Sequence, residues 1–227
     1  MNGKKVVVKR NKISKNLHDY VLVISYSVLS ILLAHPSAPP EIGGKMTFNE
    51  GFEMREKLQS VGISTPELIS ISTNSLIEEF ISGGNLYEAL SGSDDFSLAF
   101  AAGIITGRLH KSGYSFIDNK SQNYLVGQNY ESLYRTDLAF IQTKSSVFSR
   151  SMDIGTFLAS IIDLNKSSYS EIENAFFQGY VSVTRQGFPY LSPVLRNLLA
   201  LGFAFNHKSM LKNMLVNSTE KCSIPIR

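Results

Sequence analysis

The chain is poor in cysteine, in clustered histidine and in charge, and each shortage excludes a class of protein. Cys222 is the only cysteine among 227 residues, so an intrachain disulfide and a cysteine metal cluster are excluded. The four histidines are scattered without the spacing of zinc ligands. Charged residues make up 18% and hydrophobic residues 43%, which argues against disorder and predicts a globular core. A reducing, cytoplasmic location is expected.

Positive charge is concentrated at the start of the chain. The net charge is only +3, yet six basic residues precede the first acid, Asp19. They are Lys4, Lys5, Lys9, Arg10, Lys12 and Lys15. Such an excess is typical of a solvated terminus, and it also suits phosphate, nucleic acid or an anionic membrane surface.

The apolar run from Tyr20 to Ala34 imitates a signal peptide or an anchor, because basic residues precede it. The run is shorter than the roughly 20 residues that span the hydrocarbon of a bilayer, and serines interrupt it. We therefore predict a buried helix that ends before Pro36, and no membrane span.

The densest group of chemically reactive side chains lies between Leu109 and Phe140. Asp118, Lys120 and Asn123 form the pattern D-x-K-x-x-N. Asp137 follows after a short apolar strand and a polar turn. Phosphoryl transfer needs oxygens, a cation and magnesium around a triphosphate, and Mg²⁺ prefers carboxylate, amide and phosphate oxygens. We predict a hairpin in which Asp118 orients or deprotonates the attacking hydroxyl and Lys120 contacts the transferred phosphate. Asn123 and Asp137 are the predicted metal ligands.

This order of residues resembles the catalytic loop and the metal-binding segment of the protein-kinase-like superfamily. The catalytic aspartate, the lysine, the asparagine and the second aspartate of that family are all kept. The family's His-Arg and Phe-Gly pairs are replaced, by Phe116 and Ile117 and by Leu138 and Ala139. The resemblance implies ATP and Mg²⁺ as cofactors, and the replaced pairs bear on regulation more than on chemistry.

The N-terminal part resembles an incomplete kinase N-lobe. The β-branched run Lys5–Lys9 predicts a strand, and the resemblance makes Lys9 the lysine that contacts nucleotide phosphates. Without the resemblance, Lys9 is simply the end of an exposed strand. A helix predicted from Glu50 to Ser60 carries the candidate partners of Lys9, Glu50 and Glu53, of which Glu50 is preferred.

Only eight residues precede Lys9, too few for the glycine-rich loop and two strands of that family. Three alternatives would account for this shortage. The chain is a minimal kinase with an open phosphate site, a preceding piece has been lost, or nucleotide binding is weak.

The segments at residues 62–73 and 75–86 predict two antiparallel strands that end at a Gly-Gly break. Glu79, Phe80, Ile81 and Gly83 are similar to the hinge of the KEOPS-complex and RIO kinases. The resemblance implies that the backbone of residues 79–81 binds adenine, because an exposed strand end offers N–H and C=O groups.

The remaining sequence predicts a helical C-lobe. Residues 97–111 have the spacing of a core helix, on which His110 is expected to be a buried packing residue. Asp153 resembles the start of a large C-lobe helix whose aspartate anchors the catalytic loop. Residues 172–185 and 191–205 show further helical patterns. The gap between Asp137 and Asp153 is too short for a peptide-docking activation segment.

Together these features predict an α+β, two-lobed, protein-kinase-like fold. A truncated N-lobe would cover residues 1–81, and a mainly helical C-lobe residues 82–227, with the catalytic hairpin at 109–140. The expected function is an ATP- and Mg²⁺-dependent phosphotransferase, an atypical serine/threonine kinase that acts on a protein. The alternatives are a pseudokinase that binds nucleotide or a partner protein, and a small-molecule kinase. Nucleic acid would be an indirect partner, through a KEOPS-like assembly.

Overall fold

A computed structural model describes residues 5–10, 13–41, 49–72, 75–129 and 131–206. Within these residues the chain is α+β, with two small antiparallel sheets. The first sheet contains β1 (Val6–Arg10), β2 (Leu68–Ile71) and β3 (Ser75–Glu79) in the order β1-β3-β2. The second is the hairpin of β4 (Tyr124–Val126) and β5 (Leu133–Arg135). The predicted strands are confirmed, although β2 and β3 are shorter than expected.

The predicted helices occur in the predicted order, and Leu86–Ser91 forms one helix more, which the sequence analysis did not predict. Their bounds are α1 (Ile13–Leu32), α2 (Phe52–Ser60), α3 (Leu86–Ser91), α4 (Ser97–Lys111), α5 (Val147–Ala159), α6 (Lys166–Thr184) and α7 (Ser192–Asn206). Gly62 ends α2 in the left-handed conformation, with φ of 77°, as its sequence position predicts. Lys4, Lys12, Cys222 and the chain from residue 207 onward lie outside the described residues, and so does the side chain of Lys15.

Helix α1 confirms the predicted helix but corrects its burial. Its inner face packs through Tyr26 against Phe148, with ring centroids 4.9 Å apart. Its outer face is open, because Ile24 and Leu32 are 60% and 73% exposed. The helix packs on one side only, so the apolar run from Tyr20 to Ala34 suggested more burial than the structure shows. No helix in the described ranges combines the length and the apolar character that a bilayer crossing requires.

Asp153 lies in the middle of α5 rather than at its start, because the helix begins at Val147. Ser146 starts the helix instead, since its hydroxyl accepts from the N–H of Ser149 in a capping box. The sequence places the beginning of this helix six residues too late.

The hinge after β3 is fastened to the hairpin. The N–H of Gly83 donates to the carbonyl of Val126, and the N–H of Val126 donates to the carbonyl of Gly84, both at 3.0 Å. A Cβ at Gly83 would lie 2.4 Å from the Val126 carbonyl oxygen, so only glycine allows this approach. The predicted hinge and the predicted catalytic hairpin are therefore neighbours.

Helices α4 and α6 form the centre of the helical part, and they meet through two glycines. A Cβ on Gly103 would lie 2.1 Å from the Phe176 carbonyl oxygen, and one on Gly179 would lie 2.0 Å from that of Phe100. Helix α4 also carries His110, which is buried and hydrogen-bonded as expected. The close packing of these backbones fixes α4, and α4 leads directly into the catalytic hairpin.

We predict that Gly103→Ala lowers the free energy of unfolding by at least about 2 kcal/mol, because overpacking against backbone cannot be relieved by a rotamer change. The control is Gly202→Ala in α7, where a Cβ would meet nothing within 4 Å. Helix propensity should make that change neutral or stabilising by up to about 1 kcal/mol. Urea unfolding measures both, and equal effects would contradict the packing.

Candidate functional site

The predicted catalytic residues of the hairpin contact one another. Lys120 Nζ lies 2.9 Å from Asp118 Oδ1. The side-chain amide of Asn123 donates to the Asp118 carbonyl at 2.9 Å and to its carboxylate at 3.3 Å. The Asp118 side chain is nearly buried, so its carboxylate is held by two donors in one position. The D-x-K-x-x-N pattern is thus a single hydrogen-bonded cluster.

A strained turn presents Asp118. The N–H of Asp118 donates to the carbonyl of Phe116 at 2.8 Å, and Ile117 between them has φ of 65°. This is a γ-turn, and a β-branched residue in the left-handed region is a rare outlier. Strain of this kind is found at functional sites, where the surrounding structure holds it in place.

Asp153 supplies that support, and its predicted anchoring role is confirmed. Its carboxylate accepts from the N–H groups of Phe116, at 2.8 Å, and Ile117, at 2.5 Å. His110 Nε2 lies 3.0 Å from the same carboxylate, and His110 Nδ1 lies 3.0 Å from the Tyr180 hydroxyl. The two backbone donors and the histidine bind both oxygens of a carboxylate that is completely buried. Asp153 therefore holds the loop.

Arg135 binds the loop from the other strand of the hairpin. Its guanidinium donates to the carbonyls of Asn123, at 2.8 Å, and Asp118, at 2.9 Å, and also to that of Thr136. The side chain is fully buried and stacks over Phe116, 4.3 Å from the ring centroid. The guanidinium spreads five donors over a rigid planar fork, whereas the three donors of a lysine ammonium all lie on one nitrogen. Sequence analysis missed Arg135, because nothing in its local pattern distinguishes it from a surface arginine.

Asp137 is joined to the same cluster through its neighbours. The N–H of Thr136 donates to the Asn123 carbonyl at 3.0 Å. The N–H of Leu138 donates to Glu50 Oε1 at 2.9 Å. Asp137 itself has φ of 56°, a second left-handed residue at the site. Burial raises the pKa of Glu50, while the positive charge of Lys9 opposes that effect and the charge of Asp137 adds to it. The bond from the N–H of Leu138 ties the segment that contains Asp137 to Glu50.

Lys9 reaches the site from the first sheet. Its ammonium donates to Thr136 Oγ1 at 2.6 Å and lies 2.7 Å from Glu78 Oε1. The direct ion pair of Lys9 is therefore with Glu78 on β3 and not with the predicted helix residue, Glu50. Glu50 pairs with Arg55 of α2 at 3.3 Å. Sequence analysis missed Glu78, although the period of two along β3 places it on the same inward face as Leu76.

Part of the backbone of the predicted adenine-binding hinge is already hydrogen-bonded to neighbouring segments of the chain. The N–H of Glu79 donates to the Glu67 carbonyl, and the N–H of Phe80 donates to that of Lys5. Within the described part of the chain, the N–H of Ile81 pairs with no group of the protein. Phe80 is exposed, with Lys5 Nζ 5.9 Å from its ring centroid. Only part of the backbone between residues 79 and 81 is thus open to a base.

No cluster of three or more histidine, cysteine, aspartate or glutamate side chains suited to a metal occurs in the ranges that the structure describes. The predicted ligand pair is smaller, an amide oxygen from Asn123 and a carboxylate from Asp137. Mg²⁺ commonly takes one or two protein oxygens and completes its shell with water and substrate phosphate. Because the amide nitrogen of Asn123 donates to Asp118, its oxygen is the ligand atom that remains. The donor set fits Mg²⁺ held together with a nucleotide.

Comparisons with known proteins add no family to this site. No protein-family model and no curated protein match the chain. The kinase resemblance therefore depends on the residues and their geometry alone.

We predict that Arg135→Lys destabilises the protein by about 2–4 kcal/mol, because buried carbonyls of the loop lose their donors. Arg108→Lys is the matched control, since Arg108 is exposed and donates to a single carbonyl, that of Gly62. That change should stay within about 0.5 kcal/mol. Chemical unfolding of both variants decides the matter, and equal stabilities would show that Arg135 does not hold the loop.

Proposed function

We propose that the protein is an ATP- and Mg²⁺-dependent phosphotransferase of the atypical kinase kind, with a serine or threonine hydroxyl of a protein as acceptor. The observation that carries the proposal is a continuous set of hydrogen bonds from Lys9 through Thr136 and Asn123 to Asp118. It connects a cation of the sheet, Lys9, with the proposed base, Asp118, and with one proposed metal ligand, Asn123. The other proposed ligand, Asp137, follows Thr136 in the sequence. Phosphoryl transfer depends mainly on such positioning and electrostatics.

In this proposal, different residues contact the nucleotide and the acceptor hydroxyl. Asp118, fixed by Asn123 and Lys120, accepts the proton of the attacking hydroxyl or orients that hydroxyl. The ammonium of Lys120 lies beside the position of the transferred phosphoryl group, where it offsets developing negative charge. Lys9 contacts the other phosphates of ATP. The open backbone at Ile81 binds the adenine edge.

Asn123 and Asp137 hold the metal in this proposal. Bound Mg²⁺ would neutralise charge on the phosphate oxygens and orient them. The left-handed backbone of Asp137 and the bond from the N–H of Leu138 to Glu50 fix the backbone from which the Asp137 carboxylate extends. Glu50 therefore supports the metal ligand and acts on Lys9 only through their charges.

A second candidate function is a pseudokinase that binds nucleotide or a partner protein without turnover. One observation favours it: two of the three N–H donors of the Lys9 ammonium already bind protein groups, Glu78 and Thr136. Nucleotide phosphates must then compete with a carboxylate. A small-molecule kinase is the third candidate, favoured by the short segment between Asp137 and α5.

We predict that Asp118→Asn and Asp137→Asn each lower phosphoryl transfer from labelled ATP at least about 100-fold, the usual contribution of a positioned base or metal ligand. The melting temperature should change little, because asparagine is isosteric and tolerates the left-handed backbone of residue 137. Transfer is measured to the protein itself, to a generic protein and to small hydroxyl compounds, which separates the candidate functions.

The control is Asp94→Asn, an exposed aspartate in the loop before α4, which should leave transfer unchanged. Wild-type activity in either hairpin variant would refute the assignment of that residue. Stabilisation of the wild type by ATP and Mg²⁺ without any turnover would support the pseudokinase.

A further inference from the structure

The anchor of Lys9 is a strand carboxylate that the kinase-like motif does not include. Glu78 Oε1 lies 2.7 Å from Lys9 Nζ and also accepts from Thr136 Oγ1 at 3.2 Å. The Glu78 side chain is 1% exposed, whereas that of Lys9 is 35% exposed. A buried carboxylate thus holds the inner side of an ammonium whose outer side reaches solvent.

Strand pairing places these two side chains together. In the antiparallel register of β1 and β3, Val7 lies opposite Glu78, and Lys9 lies opposite Leu76. Lys9 and Glu78 are therefore diagonal neighbours on one face of the sheet, at a separation that long side chains bridge. The backbone bonds of the sheet bring the two side chains within reach of each other.

Arg55 of α2 fixes the second oxygen of Glu78. Its Nη2 lies 2.9 Å from Glu78 Oε2, while its Nε and Nη1 donate to the carbonyls of Glu50, at 3.1 Å, and Pro66, at 2.5 Å. Two backbone carbonyls thereby fix the guanidinium, which is itself buried. Because charge-assisted bonds occupy both of its oxygens, Glu78 has little freedom to turn away from Lys9.

Glu50 has a different task. Its Oε1 accepts from the N–H of Leu138, next to Asp137, and its Oε2 lies 3.3 Å from Arg55. The carboxylate of Glu50, two residues before α2, therefore orients the segment of the proposed metal ligand. The carboxylate that comes from the sheet holds the phosphate-contacting cation.

We infer that Glu78 is the positioning residue for Lys9, that Glu50 positions the Asp137 segment, and that Arg55 joins the two. The significance of Lys9 as a phosphate contact rests on the proposed function, but the positioning of its ammonium does not. A displacement of α2 would withdraw Arg55 from both Glu50 and Glu78, whereas Lys9 would stay on β1.

The test is acylation of Lys9 by a lysine-directed succinimidyl ester in the full chain at fixed pH, quantified by mass spectrometry without nucleotide. In the wild type, Lys9 Nζ must break its hydrogen bonds to Glu78 and Thr136 before it reacts with the ester. Glu78→Gln should raise the Lys9 labelling rate about five-fold, which corresponds to about 1 kcal/mol. Glu78→Asp keeps the charge on a shorter side chain, so its Lys9 labelling rate should lie between those of the wild type and Glu78→Gln.

Glu50→Gln should change Lys9 labelling less than two-fold, because Glu50 acts on Leu138 and Arg55. Glu173→Gln is the matched control, since it removes the carboxylate of another ion pair, with Arg196 at 3.2 Å. Lys9 labelling in this variant should equal that in the wild type. Unchanged labelling in Glu78→Gln, or an equal rise in Glu50→Gln, would overturn the inference. If Glu78→Gln does not fold, wild-type labelling in Glu78→Asp would overturn it instead.

Repeating the labelling with ATP and Mg²⁺ separates this inference from the proposed function. Nucleotide should protect Lys9 in the wild type, and the half-protecting concentration should rise about five-fold in Glu78→Gln. If nucleotide gives no protection while labelling still rises in Glu78→Gln, the positioning role stands and the phosphotransferase proposal fails.

Discussion

Two buried carboxylates, Glu50 and Glu78, share the guanidinium of Arg55, and the geometry of the site depends on this arrangement. Burying one carboxylate is costly, and two are tolerated only when cations and hydrogen bonds surround them. Removing one partner from such a group typically costs about 3–5 kcal/mol. This arrangement joins β3, α2 and the Asp137 segment at a single point.

The loop that carries Asp118 has buried anchors of its own. This loop and the group around Arg55 are joined through the hairpin. Asp153 holds the strained turn before Asp118, and Arg135 binds the carbonyls of Asp118 and Asn123. Thr136 connects these groups to Lys9 of the first sheet. Lys9, Lys120, Asn123 and Asp137 are partly exposed and Asp118 is nearly buried, whereas the groups that position them, Glu78, Arg135 and Asp153, are almost fully buried. This is the division expected of a preorganised site.

Much of the fold was predictable where the pattern is local. The strand containing Lys9, the helix capped by Gly62 and the core helix with His110 follow from side-chain periodicity and turn residues. The D-x-K-x-x-N cluster could be found because three of its members lie within six residues. Glu78, Arg55 and Arg135 were missed because their roles arise from the pairing of distant segments. The exposed face of α1 was missed because composition does not show how many sides of a helix have neighbours.

The central claim is that Lys9 and the hairpin surround one metal–nucleotide site. Paramagnetic broadening by Mn²⁺ with ATP in ¹⁵N-labelled protein tests it most directly, since Mn²⁺ accepts the oxygen ligands of Mg²⁺. The account predicts that the amide signals of Asn123, Asp137 and Lys9 broaden first, while those of Leu198 in α7 stay sharp. Broadening centred away from the hairpin, or at Asn123 without Lys9, would contradict it.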